Sequence, residues 1–153
     1  MTIKSITPFL WFDTQAEDAA NYYVSLFPGS KIKQVSRYGD AGPGPKGSVM
    51  VVSFELTGQS FFAMNGGPNY KLTSAFSLMV NCTEQAEIDR LWEALGATPN
   101  VCGWTTDKFG LTWQVNYAGW PALMAGPNAA KAMAAMMGMK KINIQALKDA
   151  AIP

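Results

Sequence analysis

The chain has 153 residues, 48% of them hydrophobic, with 12 basic residues against 11 acidic ones and no histidine. That length suffices for one domain, or for two small halves sharing a core. Without imidazole, His-based zinc sites, Ser-His-Asp and Cys-His nucleophilic sites and histidine proton shuttles are all excluded. The charges are scattered rather than clustered, so neither nucleic acid nor a membrane is an expected partner.

The start of the chain lacks the basic flank, long apolar stretch and cleavage site of a signal peptide, which points to a cytoplasmic protein. Residues 6–13 (ITPFLWFD) form an apolar run of strand length. Thr14 offers an N-cap with Glu17 in capping-box position, and Ala16, Ala19, Ala20, Tyr23, Val24 and Phe27 recur at helical spacing up to Pro28-Gly29. Residues 31–38 alternate as a strand, and 39–47 (GDAGPGPKG) must be a loop, either a lid over a cavity or an ordinary hairpin connection. Residues 48–57 are a strong strand, with Gly58-Gln59 expected to turn into a partner strand over 60–65.

The order then restarts. Residues 75–81 read as a strand, and Thr83 is expected to cap a helix to Leu95 with Ile88, Leu91, Trp92 and Leu95 on its apolar side. A weaker strand over 97–104 and a turn over 105–110 lead to a clear strand over 111–117. A Met- and Ala-rich helical tail follows over 127–150. Cys82 and Cys102 lack CxxC spacing and are expected to be buried free thiols. Residues 3–65 and 75–118 are thus two copies of one pattern, and neither could bury its sheet alone. The expected fold is α+β: a single domain over 1–153 in which paired βαβββ units build a curved, mostly antiparallel sheet around a cavity, with helices outside.

One face of each good strand is apolar, as in Phe76, Leu78 and Val80 or Leu111, Trp113 and Val115. The opposite faces are mixed: Ser77, Met79 and Asn81; Thr112, Gln114 and Asn116; Phe61, Ala63 and Asn65. Aromatic, Met and uncharged polar side chains together suit a cavity wall that orients a partly apolar ligand, whereas a solvated face favours Lys, Glu and Thr. Gln114, Asn65 and Ser77 are therefore candidate ligand anchors, and Trp104, Trp11 and Phe61 candidate stacking partners. Their alternatives are hydrogen bonds to neighbouring backbone and plain core packing. Asp107 in TTDKFG reads as a turn-maker rather than a base, and Glu55 as an exposed edge-strand glutamate, with a general base as its alternative. Tyr22, Tyr23 and Tyr38 are not separable from packing residues.

The segments ITPFLWFD, AANYYVSLFPGSKI, YGDAGPGPKGSVM, FAMNGGP, VNCTEQAEIDRLWEAL, CGWTTDKFGLTWQV and MGMKKINIQAL carry a resemblance. The chain resembles the vicinal oxygen chelate superfamily, which includes glyoxalase I, bleomycin-resistance proteins and extradiol dioxygenases. Within it, the chain is similar to the PhnB-like branch often labelled 3-demethylubiquinone-9 3-methyltransferase. The resemblance implies paired βαβββ units, a homodimer and a divalent metal held near Pro8, Ala63 or Asn65, Ser77 and Gln114. Gln114 alone is a ligand type there, and a single neutral amide does not hold a dication. The resemblance also implies a histidine after the NGGP turn, where this chain has Asn69. GPGPKG is too rich in proline for the glycine turn of a doubly wound methyltransferase, so that label gains no support from the residues. The expected function is metal- and cofactor-free binding of a small, partly aromatic molecule. The alternative is a metal- or cofactor-dependent enzyme of the same fold, of lyase, isomerase or dioxygenase type.

Overall fold

Period-2 alternation sets the strands and i, i+3, i+4 spacing sets the helices of the computed structural model, which describes residues 2–152. The chain divides into two compact units, one ending at Leu72 and the other starting at Thr73. The first holds β1 (Phe9–Phe12), α1 (Ala16–Leu26), β2 (Lys31–Arg37), β3 (Val49–Leu56) and β4 (Gln59–Asn65) in sheet order β1-β4-β3-β2. β1 runs parallel to β4, and the other pairs are antiparallel. Alanines at 16, 19 and 20 let α1 approach the sheet closely, and Tyr23 drops onto Phe54 with ring centroids 6.5 Å apart. Burying such large apolar side chains contributes about 1.5–3 kcal/mol each.

Two details of this unit depart from expectation. The hairpin turns at Thr57-Gly58, not Gly58-Gln59, because the register pairs Leu56 with Gln59. Both turn residues have positive φ, 46° and 89°, the backbone twist that a two-residue hairpin needs. The first helix starts at Ala16 without a side-chain cap at Gln15, so Thr14 does not cap it. Its first amide is met from across the sheet, as described below.

The second unit repeats the topology with β5 (Ser77–Cys82), α2 (Gln85–Leu95), β6 (Thr98–Pro99), β7 (Trp104–Thr106) and β8 (Thr112–Tyr117), in order β5-β8-β7-β6. β5 is parallel to β8, so each unit is a mixed four-stranded sheet, and the fold is α+β with paired βαβββ units. Ile88, Leu91 and Leu95 of α2 are buried, as are Trp113 and Val115 on the sheet. Thr83 does not cap α2 either, since Glu84 precedes the helix without a side-chain bond. The strand expected over 97–104 is two strands. Cys102 and Gly103 between them have φ of 57° and 78°, which no extended strand sustains.

The tail forms α3 (Trp120–Met124), α4 (Ala129–Met137) and α5 (Ile144–Ala151). It docks on its own unit. Cys102 and Gly103 donate backbone hydrogen bonds to Met139 and Lys140, while Gln85 donates to the Ile142 carbonyl and accepts from the Ile144 amide. A Cβ at Gly103 would lie 2.6 Å from the Val115 carbonyl oxygen and 2.9 Å from Ile142, so only glycine lets the strap settle there. Among the described residues no helix is long and apolar enough to cross a membrane.

Candidate functional site

Register decides which candidates face which way. In the second sheet Met79, Gln114 and Trp104 lie side by side on β5, β8 and β7, and Ser77, Thr112 and Thr106 form the next row on the same face. Leu78, Trp113 and Thr105 occupy the opposite, α2-covered face, where the buried Thr105 hydroxyl has no partner among the described residues. The Gln114 Nε2 donates to Ser77 Oγ at 2.9 Å. A hydroxyl chain links Ser74, Thr112 and Thr106 at 3.1 and 3.2 Å. Asn116 donates weakly to the Met79 sulfur at 3.9 Å.

This face is graded rather than enclosed. Thr112 is 2% exposed and Asn116 8%, Gln114, Ser77 and Trp104 are half-buried, and Met79 is 53% exposed. None of these side chains carries a charge. Several polar atoms remain unspent. Gln114 Oε1 and the second N–H of its amide have no protein partner among the described residues, nor does the Trp104 indole N–H. Half-buried uncharged groups with free donors and acceptors beside an aromatic ring are what a small-molecule site requires.

The first unit corrects the other part of the expected site. Phe61 pairs with Phe54 in register, so both rings lie on the α1 side, stacked at 5.4 Å, and Phe61 is only 5% exposed. It is a core residue because residues opposite one another in a ladder share a face. Ala63 and Asn65 follow on the same side. Asn65 is a clip: Oδ1 accepts the Ala16 amide at 2.8 Å, Nδ2 donates to the Val49 carbonyl at 3.1 Å, and its carbonyl accepts the Tyr38 hydroxyl at 2.6 Å. It thus caps α1 from the end of β4. Trp11 does stand on the uncovered face with Phe9, Phe62 and Met64, but its indole N–H is spent on the Gly67 carbonyl and its ring meets Tyr70 edge-on at 5.0 Å.

A cavity of about 440 Å³ lies in the first unit. It is walled by the start of α1, the Gly66-Gly67 turn and the 39–47 loop, and of the expected site residues it includes Asn65. The loop connects β2 to β3 and folds onto Tyr38, whose ring would sit 2.3 Å from a Cβ at Gly44. Inside, three of the polar lining residues are already bonded: Tyr38 to Asn65, Asn65 to Val49 and Ala16, and Ser48 Oγ to Pro45. Glu17 and Asp18 complement the positive end of α1, a sufficient reason for carboxylates at the rim. The cavity's Tyr38, Asn65 and Ser48 groups are already paired and its rim is acidic, whereas the Gln114 face is uncharged, which favours that face for a neutral, partly apolar ligand.

Of the remaining candidates, Glu55 pairs with Lys33 across β2–β3 at 3.4 Å. Asp107 is buried and organises the β7–β8 turn, accepting from the Phe109 and Leu111 amides and from Trp113 Nε1 at 2.8, 3.1 and 2.7 Å. Its partner Trp113 was not legible beforehand. Both cysteines are free. Cys82 is buried, with burial foremost and Glu87 next pushing its thiol up, while Cys102 is half-buried against the Met137 sulfur, not buried as expected.

The divalent metal implied by the resemblance does not fit these residues. Pro8 and Ala63 have no donor, Asn65 has committed its amide to backbone, and Ser77 and Gln114 are neutral and bonded to each other. Among the described residues no group of three or more His, Cys, Asp or Glu could hold a metal ion.

Comparison with known proteins adds three findings. Residues 4–116 match the family model described as 3-demethylubiquinone-9 3-methyltransferase. A PhnB protein from Bacillus cereus is 38% identical over 75% of this chain and all of its own, with a TM-score of 0.65. Protein PA1353 from Pseudomonas aeruginosa, 22% identical over 75% of this chain and 98% of its own, shares the fold with a TM-score of 0.58. No curated protein matches the chain.

Proposed function

Because this chain belongs to the 3-demethylubiquinone-9 3-methyltransferase family, with PhnB-like structural relatives, we propose its function from its own residues rather than from the family's label. It is a metal-independent, cytoplasmic protein of the vicinal oxygen chelate type that binds a small, partly aromatic molecule on the Gln114 face of its second sheet. The observation that carries this reading is Gln114 itself, half-buried between Trp104 and Met79 with a carbonyl oxygen that no donor reaches among the described residues. Ser77 orients the amide, and Trp104 supplies the stacking surface.

Methyl transfer finds no support in the 42–47 segment. That stretch is a proline-rich loop that closes on Tyr38 and runs into β3, so no helix begins there to receive a nucleotide-like cofactor. The homodimer implied by the family resemblance is part of the same proposal, with exposed Met133 and Met137 on α4 as its adaptable apolar surface.

A thermal-shift screen of neutral aromatic compounds, paired with elemental analysis of protein purified without chelator, tests the reading. A concentration-dependent rise in melting temperature that Gln114→Leu and Trp104→Phe both weaken supports it. A stoichiometric divalent ion required for binding would instead favour a metal-dependent enzyme.

A further inference from the structure

A carboxamide whose outer N–H, the one pointing away from its carbonyl, is held by the protein still offers a complete edge: its carbonyl oxygen and the N–H beside it. Gln114 presents that edge with its outer N–H on Ser77, and its Oε1 has no partner among the described residues. The complementary edge is another cis-amide, in which a ring N–H adjoins a ring C=O, giving two parallel hydrogen bonds. The neighbours reinforce the choice. Trp104 and Met79 flank Gln114 in register, offering an aromatic face and a polarizable thioether to a flat ring.

Charge then narrows the class. No cationic or anionic side chain lies in the Met79–Gln114–Trp104 row or in the Ser77–Thr112–Thr106 row beside it. A carboxylate or phosphate brought here would lose hydration without a counter-charge, and so would an ammonium. We infer that the ligand is a neutral, planar lactam or imide: a ring bearing adjacent N–H and C=O groups, paired edge-on with Gln114 and stacked against Trp104. This rests on the proposed function, which it sharpens from any small aromatic molecule to one hydrogen-bonding edge.

Isothermal titration of the full chain with 2-quinolone, N-methyl-2-quinolone, quinoline and quinoline-2-carboxylate separates the two readings. The expected order places 2-quinolone about tenfold or more ahead of the N-methyl compound and of quinoline, because a site built around a hydrogen-bonding edge rejects analogues lacking it. The carboxylate is expected to bind most weakly. Gln114→Leu should weaken 2-quinolone about tenfold more than it weakens quinoline, bringing the two compounds to similar affinity, and Gln114→Asn, which draws the amide back, should do the same if the leucine variant folds poorly. Equal binding of quinoline and 2-quinolone, both weakened by Trp104→Phe, overturns the lactam class and leaves the binding function standing. Preference for the carboxylate likewise overturns the lactam class alone, and failure of all four to bind overturns both.

Discussion

Replacing Asp107 with alanine should be among the most damaging single changes to the second unit. The carboxylate is 4% exposed and receives the Phe109 and Leu111 amides and the Trp113 indole N–H. Hydrogen bonds to a charged acceptor are worth roughly 1.5–3 kcal/mol each, and orphaned buried donors cost about 1–3 kcal/mol apiece. Against that, alanine relieves the desolvation of a buried charge, which takes back several kcal/mol. The net loss should be about 3–4 kcal/mol, a fall in melting temperature of roughly 6–16 °C for a chain of this size. Trp113→Phe should cost about 1–3 kcal/mol by removing one of the donors and a little core volume. The double variant should fall short of the sum by about 1 kcal/mol, the signature of a direct contact. Urea unfolding of the four proteins measures all of this. A loss under about 1 kcal/mol for Asp107→Ala would show that the turn is held by its backbone alone. Because this turn sets the β7–β8 register, the same variant should also lose the juxtaposition of Trp104 with Gln114 and, with it, ligand binding.

Asn65→Leu should destabilise the first unit by about 2–3 kcal/mol and speed amide exchange at Ala16, since both clip bonds go at once. Unchanged exchange would mean that water serves the helix end equally well. Hydrogen bonds first from Lys141 and then from Gln85 hold the Asp89 carboxyl below its ordinary value of 3.8. Its contribution is therefore complete above that pH and is lost as pH falls through the lowered value. Protection of the Cys102 and Gly103 amides, which bind the tail, should drop below about pH 3.8 in the native chain, and this drop should be smaller in Asp89→Asn. An alkylating reagent should modify Cys102 in the native protein and Cys82 only after unfolding, as read by peptide mass. Equal rates at the two thiols would contradict the burial of Cys82.

The second sheet was readable in advance because its code is local. Leu111, Trp113 and Val115 alternate with Thr112, Gln114 and Asn116, and the spacing of Ile88, Leu91 and Leu95 marks the helix that covers the first set. What was not readable depends on contacts between distant residues. Alternation alone puts Phe61 and Asn65 on the open face, and only the pairing with Phe54 and Phe12 reveals that they turn toward α1. Thr14 and Thr83 carry the local signature of caps, yet in α1 an amide 49 positions away does the work. The short α3 leaves no periodic stripe in the sequence, because Trp120–Met124 contains Pro121 and buries none of its residues. The tail's attachment through Gln85 spans 57 positions and leaves no pattern in either segment.

The nitrogen-15 spectrum of the chain, recorded in excess chelator while 2-quinolone is titrated in, looks straight at the proposed contact. The side-chain amide of Gln114 and the indole N–H of Trp104 should move together and saturate at one ligand per chain. If both signals stay still, or shift only once a divalent cation is restored, then this face is not where a metal-free protein holds its ligand.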